Sequence, residues 1–144
     1  MDKEIINSFS KLFIGRADCW GSIEGKANKE PVTEEHYRRH LEKKVSLGIY
    51  PLLDDNTCWF AVIDIDVRDW QKTLAIREAF RNFNIAVYIS LSKSKGYHIW
   101  LFADEQPFIA SEVRQVMVGV LRKLGIAAEV FPKQDKLDQM TPLG

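Results

Sequence analysis

Residues 60–66 read FAVIDID, so an apolar segment ends in Asp64 and Asp66 with one isoleucine between them. On an extended strand alternate side chains share a face, which puts both carboxylates on one side, about 6.6 Å apart at ~3.3 Å per residue. Like charges so placed repel unless a cation intervenes, and hard divalent ions such as Mg²⁺ take oxygen ligands. Two ions about 3.5–4 Å apart fall within the span of such carboxylates. A strand that simply emerges into water at Asp64 explains the pair equally well, and the motif alone leaves both readings open.

A second stretch, SLSKSKGYH, holds three serines, Lys93, Lys95 and Gly96 just before His98. Hydroxyls, ammonium groups and exposed backbone N–H groups are what a polyphosphate requires, and a glycine permits close approach. Lys133 and Gln134, in EVFPKQ just past Glu129, are candidates for the same place. Triphosphate with divalent metal is a coherent reading of these pieces together. Serine, lysine and glycine are also ordinary hairpin-turn composition.

The elements that must position these residues follow from periodicity. DKEIINSFSKLF places Ile5, Ile6, Phe9, Leu12 and Phe13 at helical spacing before Gly15, which predicts a first helix. Residues 16–31 read as a loop or short irregular hairpin. Thr33 is a suitable N-cap for a second helix carrying Tyr37, Leu41 and Val45 and ending near Ser46. LGIYPLL and TCWFAVIDID flank Asp54-Asp55-Asn56, which predicts a hairpin. DWQKTLAIREAFRNF reads as a helix capped by Asp69, with Trp70, Leu74, Ile76, Phe80 and Phe83 on its stripe. IAVYISLS and YHIWLF read as strands joined by a turn. Ser111 would cap an amphipathic helix ending at Gly125, and AAEVF is a last short strand.

From Cys58 onward the order is strand, helix, strand, strand, helix, strand, the split βαβ arrangement of ferredoxin-like and RNA-recognition-motif-like (RRM-like) folds. The fold expected is therefore α+β, an antiparallel RRM-like sheet with both helices on one face and the other face open. A helical and hairpin unit over residues 1–56 precedes the core at 57–131. In that topology the start of the third strand, with His98, and the start of the fourth, with Glu129, lie at the sheet edge where Asp64 and Asp66 end the first. Asp104 and Glu105 fall at the opposite edge. Register decides whether these groups meet.

At 144 residues and 46% apolar, the chain has enough material for one compact core. Lys+Arg and Asp+Glu both number 20, so any nucleic-acid role must rest on a local patch and not on net charge. Cys19 and Cys58 are too few for a zinc tetrad and read as reduced thiols. No apolar run reaches the ~20 residues of a membrane span, so no membrane partner and a cytoplasmic location are expected.

The stretches LFIGRAD, SLGIYPL, FAVIDID, LSKSKGYHIWLF and EVFPKQ together resemble the archaeo-eukaryotic primase superfamily, in the primase-polymerases of TOTE conflict systems and CRISPR loci. The resemblance implies that Asp64, Asp66 and Glu129 hold two Mg²⁺ or Mn²⁺ ions as the catalytic acids. It implies that Ser94, with Ser92, and His98 meet the phosphates of an incoming NTP or dNTP, alongside Lys93, Lys95, Gly96, Lys133 and Gln134. Template-directed nucleotidyl transfer on single-stranded DNA or RNA follows, with fused or associated helicase, nuclease or CRISPR adaptation proteins as partners. Trp100 and Phe102 share His98's side of the strand and are expected in the core beneath the N-terminal helices. Relatives continue past a TPxGN-like segment, whereas this chain stops at Thr141-Pro142-Leu143-Gly144, which suggests a C-terminally truncated piece of doubtful activity.

Two rivals compete. VIDIDV also satisfies the opening DxDx(T/V) of haloacid-dehalogenase-like phosphatases, with Asp64 as nucleophile and Asp66 as acid/base. That fold needs a parallel doubly wound sheet, for which the turn at residues 93–96 is too short. The other is a non-catalytic RRM-type module binding single strands on its open sheet, where displayed acids would repel phosphate. His36 and His40, at i and i+4, lack the HExxH glutamate and are expected on a solvated helix face. Arg16 and Asp18 are expected to brace the N-terminal unit.

Overall fold

The structure is a computed structural model describing residues 1–140 and 142–143. Among these residues the chain forms four helices and eight short strands, an α+β architecture with antiparallel sheets. Helix α1 (Lys3–Leu12) starts where the Asp2 carboxylate accepts the Glu4 N–H at 3.0 Å. Strands β1 (Trp20–Gly21) and β2 (Ala27–Asn28) make the small N-terminal hairpin. Helix α2 (Glu34–Leu41) stops earlier than its periodicity suggested, because Lys43 turns to φ 60° two residues past its end.

The predicted hairpin between residues 47–53 and 57–65 does not form. Gly48 bridges Gly21 instead, and β3 (Thr57–Cys58) pairs with β7 (Phe108–Ile109), a strand the sequence did not suggest. β4 (Phe60–Ile65) begins after a break at Trp59. Helix α3 (Trp70–Arg81) is capped by Asp69, whose carboxylate accepts the Lys72 N–H at 3.0 Å. Thr73, Ile76 and Phe80 are its buried residues, while Trp70 and Phe83, expected on that stripe, are 44% and 62% exposed. After β5 (Tyr88–Leu91) and β6 (Tyr97–Phe102), helix α4 (Ala110–Leu124) begins one residue before Ser111, which is therefore not its cap. It ends at Gly125, in the left-handed region at φ 65°. Strand β8 is Glu129–Phe131.

The main sheet has the order β5-β6-β4-β8, with every pairing antiparallel. A parallel doubly wound sheet is absent among the described residues, which removes the frame the phosphatase reading needs. Alternation along β4 sends Ala61, Ile63 and Ile65 toward α3 and α4, where they join Ile76, Phe80, Ile99, Leu101 and Met117 in the buried core. The other face carries Phe60, Val62 and Asp64 and is not fully open. Phe13 is wedged there, with ring centroids 5.2–5.4 Å from Trp100, Phe60 and Phe102, so the N-terminal helices roof one end of it. Trp100 and Phe102 lie under this roof as expected, but they are half-buried and stand outside the buried core, which is on the sheet's other face. No helix among the described residues is long and apolar enough to cross a membrane.

Candidate active site

Register brings together what sequence could only place on one edge. Asp64 pairs with His98 on one side and with Glu129 on the other, and His98 pairs in turn with Ser90. Directly opposed residues of antiparallel strands present their side chains to the same face. Ser90, His98, Asp64 and Glu129 therefore form one row across all four strands. Asp66 stands one residue beyond β4 and is exposed.

Within the row, His98 Nε2 lies 3.3 Å from Asp64 Oδ1. The Asp64 side chain is only a quarter exposed, and its carboxyl is held above the ordinary carboxylate range by burial first. His98 acts against that shift, while Asp66 and Glu129 add to it by repulsion. Glu129, however, turns toward Lys133, whose ammonium donates to its Oε1 at 3.3 Å. Among the described residues, no three His, Cys, Asp or Glu side chains are gathered so as to hold a metal ion. Asp64, Asp66 and Glu129 thus share a neighbourhood by backbone placement, while the Lys133 ion pair draws the third carboxylate aside. Carboxylate oxygens are the donors a hard cation takes, and Asp66 and Glu129 act on Asp64 through repulsion.

The serine and lysine turn sits beside the acidic end of β4. Gly96 has a use other than close approach to phosphate: a Cβ there would lie 1.5 Å from the Ile65 carbonyl oxygen, so its bare backbone lets the turn pack on the strand end. Ser92 N–H donates to the Gly96 carbonyl at 3.0 Å, and the Ser92 and Ser94 hydroxyls are 3.3 Å apart. Lys93 and Lys95 are exposed. Arg68, which sequence reading passed over, donates from Nε to the Lys95 carbonyl at 3.3 Å. Its signal was a lone cation two residues after the second aspartate.

One further positioning residue was missed. Arg114 of α4 donates to the Pro132 carbonyl at 2.5 Å and to Asp135 Oδ1 at 2.8 Å, holding the loop that carries Lys133 and Gln134. Gln134 donates to the Lys136 carbonyl at 2.7 Å. Trp100 Nε1 donates to Ser90 Oγ at 2.8 Å, fixing an aromatic wall beside His98. That wall borders a cleft of about 690 Å³ between the sheet and the N-terminal unit, into which Lys93, His98 and Ser90 open.

The two helix histidines are half-buried and take part in local hydrogen bonds. His36 Nδ1 accepts the Thr33 N–H at 3.1 Å, and His40 Nδ1 accepts the Leu47 N–H at 3.2 Å while its ring lies against Phe9. Arg16 donates to both oxygens of Asp18, at 2.7–2.8 Å, and to the Pro142 carbonyl, tying the C-terminal segment to the N-terminal unit. Of the terminal TPLG stretch, Thr141 and Gly144 lie outside the described residues. Cys19 and Cys58 are free and buried, and burial pushes the Cys58 thiol up to about 12.

An antiparallel α+β domain with a row of acids and a histidine beside a serine and lysine turn is the kind of frame on which primase-like nucleotidyltransferases are built. A family model described as the archaeo-eukaryotic primase domain of TOTE conflict systems matches residues 21–143, and the chain belongs to that family. No curated protein matches it.

Proposed function

We propose that the chain is the catalytic domain of a primase-polymerase. It would join nucleotides from NTP or dNTP to a primer or first nucleotide on a single-stranded DNA or RNA template, on the RRM-like core at residues 57–131. The observation that carries this reading is the row of Ser90, His98, Asp64 and Glu129 in register, with Ser90 and His98 lining a cleft and the serine and lysine turn beside the row. Membership of a primase family supports it.

Asp64, Asp66 and Glu129 would hold Mg²⁺ or Mn²⁺, which when bound lowers the pKa of an attacking 3′-hydroxyl and stabilises departing pyrophosphate. Burial first, and then repulsion from Asp66 and Glu129, raises Asp64, and a bound cation would relieve that repulsion. Glu129 would join by exchanging its contact with Lys133, and the released ammonium would then face a phosphate oxygen. Ser92, Ser94 and His98 would donate to the phosphates, and Lys93, Lys95 and Gln134 would complete that shell. Gly96 keeps the turn against Ile65 and so sets the distance between acids and phosphate donors.

Primer extension with Mn²⁺, a templated oligonucleotide and triphosphates tests the reading. The wild-type domain should extend, and Asp64→Asn should lower the rate by about a thousandfold, since cation stabilisation of developing charge is worth several kcal/mol. A crystal soaked with Mn²⁺ and triphosphate should show ions among residues 64, 66 and 129. Binding of single strands without metal, and none of triphosphate, would replace the proposal with a non-catalytic RRM-type module.

A further inference from the structure

Beside the cleft runs a second groove, of about 540 Å³, lined by Ile23, Lys43, Lys44, Val45 and the shared residues His40, Ser46 and Lys93. The shared residues make the two hollows neighbours. No carboxylate lines it. The acids adjacent to its lining residues are both engaged, Glu24 by Lys26 and Glu42 by Arg38 and Lys44, so the groove presents a positive surface in which Lys43 and Lys93 line the wall and Lys44 would reach a phosphate by exchanging Glu42.

Lys43 carries an independent signal. It adopts φ 60° just past the end of α2, a place where glycine or asparagine is the usual occupant because a Cβ is strained there. Its amide is used, donating to the His40 carbonyl at 2.9 Å, but that bond needs no particular side chain. A lysine in a conformation that disfavours it is explained if the ammonium has a task. Across the groove, Ile23 stands at the tip of the β1–β2 hairpin, 68% exposed, an apolar contact set beside cations. Ammonium groups spaced along a groove with an apolar side chain at its edge are suited to a flexible polyanion whose charged backbone alternates with flat, apolar bases.

We infer that this groove binds the phosphodiester backbone of a single-stranded nucleic acid, through Lys43 and Lys44, and leads it into the cleft beside His98. Its identity as the template strand rests on the polymerase reading. The binding itself does not.

Fluorescence anisotropy of a labelled single strand of about 12 nucleotides, with EDTA and without triphosphate, tests it. The Lys43→Gln/Lys44→Gln variant should bind on the order of tenfold more weakly. Its plot of log affinity against log salt should be shallower by about 1.4, two phosphate contacts at about 0.7 each. Lys43→Gly should weaken binding as well while melting at the same or a higher temperature than wild type, which separates lost contact from lost fold. Wild-type affinity and salt slope in these variants, or no strand binding by the wild type, would overturn the inference. Should the variants lose strand binding while the wild type fails to bind Mn²⁺ and triphosphate, the groove stands and the polymerase proposal falls.

Discussion

Asp64 sits under opposing demands: its strand is apolar and its side chain three-quarters covered, yet two more carboxylates act on it from Asp66 and Glu129. That arrangement opposes ionisation of Asp64. Asp18 shows the reverse case. Two hydrogen bonds from Arg16 hold its carboxyl below the ordinary carboxylate range. A depressed folded pKa contributes stability that is complete above the unfolded value of about 3.9 and is lost as pH falls through the lower folded value. Asp18→Asn should therefore lower the melting temperature at pH 7 and make no difference once the wild-type carboxyl is protonated. The effect should be about 1 kcal/mol or less, because the Asp18 side chain is 65% exposed and water screens the pair. A gap that stays constant in thermal melts from pH 7 down to pH 2 would contradict this.

Strand ends and turns, more than whole strands, set the geometry of the site. The β5–β6 turn is held to the end of β4 by Gly96 and by Arg68, and the loop after β8 is held by Arg114. Gly96→Ala would drive a methyl into the Ile65 carbonyl oxygen, so the turn must lift away from the strand. The expected cost is about 1–3 kcal/mol, the range for overpacking a fitted contact, read as a lower urea midpoint. A variant with wild-type stability would mean the turn relaxes freely, and Gly96 would lose its positioning role.

For the molecule as a whole, one aromatic joins the N-terminal helices to the sheet. Phe13 meets Trp100, Phe60 and Phe102, and Phe9 and Tyr37 continue the cluster on the helical side. Truncating a fully buried phenylalanine costs about 3–5 kcal/mol, and Phe13→Ala, half-buried, should cost about 2–4 kcal/mol. Hydrogen exchange should quicken over residues 3–41 while β4 and β6 keep their protection, since their core lies on the other face. Equal loss of protection throughout would show that the two parts unfold as one.

Several features were legible before any coordinates. FAVIDID and YHIWLF are apolar enough to be central strands, Asp69 and Gly125 bound their helices, and the order of elements from Cys58 placed His98 and Glu129 at the edge where Asp64 ends. These are local facts, written in periodicity, caps and turns. The pairing of Thr57–Cys58 with Phe108–Ile109 was not legible, because two-residue strands carry no pattern of their own and are chosen by what they pack beside. Nor was the part played by Gly96, Arg68 and Arg114, whose partners are distant in the chain. Residue type alone nominated the acids, the serines and the histidine. Only the register, which a shift of one residue would invert from face to face, put Ser90, His98, Asp64 and Glu129 in a single row, because strand pairing is settled between segments far apart in the chain and not within any one of them.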